Sequence, residues 1–253
     1  MTHPIPSVKF ICMGRTKKAE KEMTLVEHLE ELRTRLIIII IGAGIASIAG
    51  WFLGPVVLEL LINDIGNVQV LKVTDAFGIR IKLAFWVGLI ISSPLTLAQI
   101  WLFVAPGLYS KEKKFVVPAV FSSYILFITG SYFGLKIIPY SVKFLESFLS
   151  ENMRPGYSID FFINFAGTMI VAFAVLFQMP VVMVLLAKLG IVSYATISKN
   201  RKYIFLVLLI VSAVLTPADP ISMIILAIPL YALFEISLLI IRFMKIDSTV
   251  DET

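Results

Sequence analysis

Carboxylates and guanidiniums at helical spacing carry most of the chemistry available to this chain. Between Thr24 and Arg35, Glu30 stands three residues before Arg33 and Glu31 four before Arg35, separations at which side chains meet on one helix face. A further acid, Glu112, is set among Lys111, Lys113 and Lys114, and a few polar groups, Gln99, Gln178, Asp219 and Glu235, interrupt otherwise apolar stretches. Such groups can bind a planar cation through charge-assisted hydrogen bonds, but they do not make a reaction centre. His3 and His28 have no metal-binding spacing, and Cys12, the only cysteine, excludes a disulfide or a cysteine-based metal site. There is no G-x-S-x-G, P-loop or H-E-x-x-H motif, and hydroxyls in the apolar stretches lack a base in sequence. The chain is read as a non-enzyme without metal or cofactor.

The elements that must position these groups are membrane helices. Hydrophobic residues make up 58% of the 253 and charged ones 15%, with a mean hydropathy of +0.93; a soluble domain carries nearer a quarter charged residues. The apolar residues fall into runs of about 20, the length that crosses roughly 30 Å of hydrocarbon. Charges bracket runs at 36–58, 83–110, 115–135, 161–187, 203–216 and 221–241, predicting an all-α membrane protein with six transmembrane helices. Residues 1–23 read as a polar, basic, disordered tail, 24–242 as one six-span domain, and 243–253 as a second tail. No cleavable signal peptide or transit peptide is expected, which favours a bacterial membrane over a plastid one.

With six spans, Lys72, Arg80, Lys82, Lys136, Lys143 and Arg154 fall on one side, and every other one of the 22 lysines and arginines on the side of the termini. The positive-inside rule then places both termini in the cytoplasm, and the net charge of +5 calls for no nucleic-acid partner. The fourth run, about 40 Å at 1.5 Å per residue, is expected to tilt, kink near Pro180 or project. The fifth, about 21 Å long by the same rise, is too short to cross an undisturbed bilayer. Gly42, Ala46, Gly50 and Gly54 lie on one face of the first run, where small residues let helices approach closely. Thr24 with Glu27 suggests a capping box, and Leu25, Leu29, Leu32 and Leu36 form a stripe, so 24–35 reads as an amphipathic helix lying at the interface before the first span.

A proton-coupled small-solute transporter is the alternative function, since intramembrane ionisable groups mark such pathways. Only Gln99, Gln178, Asp219 and Glu235 supply polarity. Asp219 lies at the turn between the fifth and sixth runs, Glu235 is close enough to the inner end to snorkel or meet Arg242, and no inverted repeat is visible.

Read in order, several segments resemble the TatC family, the receptor subunit of the twin-arginine protein translocase. His28-Leu-Glu-Glu-Leu-Arg-Thr-Arg35 is similar to the family's N-terminal motif. Gln99-Ile-Trp-Leu-Phe-Val-Ala-Pro-Gly-Leu-Tyr-Ser-Lys-Glu112 is similar to the family's first cytoplasmic loop motif, including the Pro, Leu-Tyr and acidic residue. Phe127-Ile-Thr-Gly130, Phe133 and Pro139 fit the third span, Phe177-Gln-Met-Pro180 the fourth, and Arg201-Lys-Tyr203 the entry to the fifth. Leu215-Thr-Pro-Ala-Asp219, Ala227-Ile-Pro229 and Phe234-Glu-Ile-Ser237 fit the last pair.

The resemblance implies a curved, glove-like six-helix bundle with short fifth and sixth helices in a bacterial cytoplasmic membrane. It also implies a receptor for folded precursors carrying twin-arginine signal peptides. Such a receptor gathers TatA-type, and in some systems TatB-type, single-span subunits for export driven by the proton-motive force, with homo-oligomeric contacts in the receptor complex. On that resemblance the signal-binding set is Glu31, Arg33, Trp101, Phe103, Pro106, Leu108, Tyr109 and Glu112, with Arg33 supporting the acidic site. Glu31 reads equally as the intrahelical partner of Arg35. The set for partner docking or structural polarity is Gln99, Gln178, Asp219 and Glu235. Many relatives carry glutamate where Gln178 stands; an amide cannot titrate, which argues against proton carriage there. Met223 replaces a glutamine of some relatives, and Asp219 reads also as a cap for the last helix.

Overall fold

The computed structural model describes residues 25–63, 68–72, 74–108, 113–149, 156–215 and 220–244. Chain from Leu25 contains no proline until Pro55, and it forms a single helix, α1 (Leu25–Asn63), 39 residues and about 58 Å long at 1.5 Å per residue. The expected interfacial helix and first span are therefore one continuous rod. Its sequence offers no breaker between Arg35 and Leu36, so the polar first turns extend the axis of the span instead of turning into the interface. The capping residue Thr24 lies outside the described residues.

The second apolar run begins earlier than its charges suggest. α2 (Asp75–Ile91) carries Arg80 and Lys82 within it. Each cation has a partner: the Arg80 guanidinium lies 5.3 Å from the Trp51 ring centre, and Lys82 Nζ donates to Asp160 Oδ1 at 2.6 Å. Pro94 then sits in the first turn of α3 (Ser93–Val104), where a missing N–H costs nothing, and the two helices bend by 51° at Ser92. A 3-10 turn at Ala105–Gly107 follows.

α4 (Val116–Glu146) likewise overruns its expected end, through Lys136 and Pro139. α5 (Ile159–Leu176) and α6 (Met179–Lys188) together make the fourth apolar run. The break falls at Phe177–Gln178, just before Pro180, which occupies the first turn of α6. Gly190, with φ +69, supplies the left-handed residue that closes α6. The short α7 (Tyr194–Lys199) is capped by Ser193, whose Oγ accepts from the Thr196 N–H at 3.1 Å. α8 (Arg201–Leu215) has 15 residues, and α9 (Pro220–Phe243) completes the helices.

Four stretches, Leu25–Asn63, Lys113–Phe144, Ile159–Lys188 and Leu226–Phe243, are long and apolar enough to cross a membrane. The bent pair Asp75–Ile91 and Ser93–Gly107 makes a fifth. α8 does not reach that length.

Small residues set the close crossings. A Cβ on Gly50 would collide with the Ala84 carbonyl oxygen, and one on Gly88 with Ser47, so α1 and α2 meet nearly backbone to backbone. Gly54 faces Leu83 and Gly42 faces Leu95, so three members of the small-residue face serve packing. Gly130 and Gly134 do the same for α4 against α5, meeting Phe173, Ala174 and Ile170. The buried centre is built on α5 and α9, with Phe173, Ala166, Leu230 and Phe234 fully enclosed. α1 instead keeps Ile40, Ile41, Ile45, Ile48 and Phe52 exposed, as a lipid-facing helix does. At the end of the bundle holding the α4–α5 connection, β1 (Val68–Gln69) pairs in parallel with β2 (Tyr157–Ser158), beside the Lys82–Asp160 bridge.

Candidate functional site

The opposite end of the bundle brings the first turns of α1 against the last turns of α3. Helical spacing puts Glu31 and Arg35 on one face, and Arg35 Nε donates to Glu31 Oε1 at 2.9 Å. The same guanidinium donates through Nη1 to Gln99 Oε1 at 2.9 Å. One turn earlier, the His28 ring stacks on Phe103, centres 4.3 Å apart and planes 9° from parallel. Glu31 is thus fastened from both sides: by Arg35, which Gln99 orients, and by helix packing that the His28–Phe103 stack holds in place.

Only half of that carboxylate is satisfied. Glu31 Oε2 is occluded and has no hydrogen-bond partner among the described residues; His28 Nδ1 is 3.7 Å away, beyond a good hydrogen bond. A buried acceptor without a donor is costly, by about 1–3 kcal/mol. Oε2 has no exposed surface in this arrangement, so a cation reaches it only after a side-chain shift and then meets an acceptor that Arg35 already orients. With Oε1 taken by Arg35, Oε2 can accept one charge-assisted hydrogen bond from a guanidinium or an ammonium. The two expected roles of Glu31 are not exclusive here: one oxygen makes the intrahelical pair, and the other is left over.

The remaining expected residues divide. Phe103 belongs to the cluster through His28, and Gln99 joins it through Arg35, away from the polar-docking set in which it was expected. Arg33 is exposed and has no ion-pair partner among the described residues, so the Glu30–Arg33 pair allowed by spacing is not formed; Arg33 projects to the side of α1 away from Glu31's partners. Pro106 is half-buried in the 3-10 turn. Trp101 is buried on α3 and turns to Ser123 of α4, away from Glu31, and Leu108, just past the 3-10 turn, is buried as well. Tyr109, Glu112 and Asp219 lie outside the described residues.

The polar groups do not converge on one pathway. Gln178 donates from its amide to the carbonyls of Ser123 (3.1 Å) and Ala174 (3.2 Å). Trp101 Nε1 donates to Ser123 Oγ at 2.9 Å, so α3, α4 and the α5–α6 break are tied at one point. Glu235 does not meet Arg242. It accepts from Tyr231 at 2.8 Å and lies 3.3 Å from Arg201 Nη1, because the short α8 places its first residue beside the middle of α9. Sequence reasoning gave His28 and Arg201 no part in these clusters. The three-residue step from His28 to Glu31 was the available signal for the first.

A family model described as Sec-independent protein translocase protein (TatC) matches residues 27–229. A relative from Carboxydothermus hydrogenoformans, named Sec-independent protein translocase protein TatC, is 39% identical over 232 residues, covering 89% of this chain and 96% of the relative. TatCy of Bacillus subtilis is 35% identical over 231 residues, covering 89% and 91%. Among solved structures, a crystal structure of the twin-arginine translocase receptor TatC in DDM superposes with a TM-score of 0.77 at 34% identity. It spans 85% of this chain and 99% of that one.

Proposed function

The chain belongs to the TatC family of Sec-independent protein translocase components, and we propose that it is the receptor that binds twin-arginine signal peptides of folded precursors at the α1–α3 end. It is a membrane translocase component and not an enzyme, and the comparisons give no support to the small-solute transporter alternative. The observation that supports the binding site is Glu31, a carboxylate 18% exposed, whose Oε1 is held by Arg35 and whose Oε2 has no donor among the described residues. A twin-arginine signal brings guanidiniums that can donate to that oxygen. Phe103 and Pro106 supply adjoining apolar surface, and Glu112, four residues beyond Leu108 in the chain, supplies the second carboxylate.

The family assignment, the charge asymmetry and the apolar stretches support six spans, both termini in the cytoplasm and a bacterial cytoplasmic membrane. In this reading α8 is the short fifth span. TatA-type and TatB-type single-span subunits and further copies of the receptor assemble on the bundle, with Asp219 and the α8–α9 pair at the far turn available to them, and export is driven by the proton-motive force. Gln178 and Glu235 act inside the bundle, since their polar atoms are engaged by α4, α5, α8 and α9.

Photocrosslinking tests the reading, with probes at Glu31 and beside Glu112 in membranes presented with a twin-arginine precursor and a twin-lysine control. Crosslinks that require twin arginine and vanish in Glu112→Ala support it. Absence of any twin-arginine-dependent crosslink at either probe rejects this face as the receptor site.

A further inference from the structure

Glu31 Oε2 can be reached only if a neighbouring side chain moves, and the two basic side chains that approach this carboxylate are held very differently. Arg35 is fixed by three hydrogen bonds, two to Glu31 Oε1 and one to Gln99 Oε1. His28 makes no hydrogen bond to the carboxylate: its Nδ1 stops 3.7 Å from Oε2, too far for one. Its ring rests instead on the face of Phe103, 4.3 Å away and 9° from parallel. Such a stack is worth about two- to tenfold in an equilibrium. The His28 side chain is also 38% exposed, against 18% for Glu31, so the ring has an open side. Of the two, His28 is the group that can give way.

His28 thus lays a flat, nitrogen-bearing ring on Phe103, with Nδ1 on the side of Oε2. A guanidinium on the same face would offer the same plane with N–H donors around its edge. We propose that His28 is a placeholder for one arginine of the signal: on binding, its ring leaves Phe103, a guanidinium takes over the stack, and an N–H of that guanidinium donates to Glu31 Oε2. This role rests on the signal-receptor reading and deepens it, because it names what chooses arginine over lysine. Oε2 alone accepts from either cation. The Phe103 face separates them: a guanidinium is planar, weakly hydrated and stacks on aromatic rings, whereas an ammonium is a compact, strongly hydrated point charge. Because the stack passes from His28 to the ligand, the crossing of α1 and α3 is held in both states.

The full chain in detergent, with His3 and His28, its two histidines, isotopically labelled, tests the proposal by NMR. Ring protons stacked on a phenylalanine face are displaced upfield, and His3→Gln assigns the remaining set to His28. Saturation with a twin-arginine signal peptide is expected to return the His28 signals to the positions of an unstacked imidazole, while the twin-lysine peptide at the same concentration leaves them upfield. His28→Ala, which removes the placeholder, should bind the twin-arginine peptide about threefold tighter, within the worth of one stack. Phe103→Leu should lower the ratio of twin-arginine to twin-lysine affinity by about the same factor. His28 signals that stay upfield in protein shown by anisotropy to be saturated overturn the proposal, and that titration needs neither site variant to fold. Equal displacement by the twin-lysine peptide, weaker binding by a folded His28→Ala, or an unchanged ratio in Phe103→Leu also overturns it. None of these outcomes touches crosslinking at Glu31, so the receptor reading survives them. A wild type that shows neither twin-arginine binding nor a Glu31 crosslink rejects that reading and this role with it.

Discussion

Arg35 reaches across 64 residues of sequence to Gln99, Nη1 to Oε1 at 2.9 Å, while its Nε holds Glu31. The bond makes Gln99 a positioning residue: it does not touch a ligand at Glu31, but it decides where the Arg35 guanidinium sits. Gln99→Leu frees that guanidinium, and twin-arginine peptide affinity is expected to fall about fivefold, the worth of one modest hydrogen bond. Gln99→Glu should restore the contact. Fluorescence anisotropy with a labelled signal peptide measures both, and an unchanged Kd in Gln99→Leu would remove the residue from the site.

A methyl group at Gly50 is expected to be felt through the whole bundle. Its Cβ meets the Ala84 carbonyl oxygen, a backbone atom that cannot rotate away. Gly50→Ala should lower stability by about 1–3 kcal/mol, as overpacking does. The same change at Gly44, which has open space around it, should cost little. Thermal unfolding in detergent distinguishes them; equal melting temperatures would show that α1 and α2 separate without penalty.

Removing the Gln178 amide should loosen the point where three helices meet. Gln178→Leu withdraws donors from the Ser123 and Ala174 carbonyls and is expected to cost about 1 kcal/mol. Because Trp101 reaches the same serine through Oγ, Gln178→Leu and Ser123→Ala should be non-additive in a double-mutant cycle. Strict additivity would mean that the contacts act independently.

Tyr157 provides a pH marker at the far end. Burial, then a hydrogen bond to the Glu146 carboxylate and its negative charge, pushes the phenol up to about 12 from the ordinary 10.0. A folded-state value above the unfolded one favours the protonated phenol. Its contribution to stability is therefore complete below pH 10 and is lost as pH rises through 12. Alkaline unfolding of Tyr157→Phe should lack that component, and tyrosinate absorbance of the wild type should show a late-ionising step that Tyr157→Phe removes. Identical alkaline profiles would exclude the coupling.

Much of the architecture was legible in the apolar runs, because lipid demands runs of fixed length. The errors fall where a partner remote in sequence neutralised a charge. Arg80 and Lys82 read as a boundary, yet α2 includes them because Trp51 and Asp160 lie opposite. The break at Ser92 depends on Pro94 sitting in a first turn, and proline alone does not say whether a helix kinks or restarts. At the site, the Glu31–Arg35 pair followed from spacing, whereas Gln99 and Phe103 joined it only through the crossing of α1 and α3. Gly130 and Gly134 have the same four-residue spacing as the glycines of α1, but two positions alone do not distinguish a close crossing from chance.

The Lys82–Asp160 bridge also bears on the order in which the chain can be completed. Its partners are 78 residues apart, and the strand pairing beside it joins the same two regions. A ribosome delivering the chain from its N-terminus releases α1 through α4 before Asp160 exists. Until then Lys82 has no acid to meet and β1 has a bare edge, so the half-made protein displays both marks at one membrane surface. Emergence of α5 removes them together, so this seam can close while α9, which completes the buried centre, is still to be made.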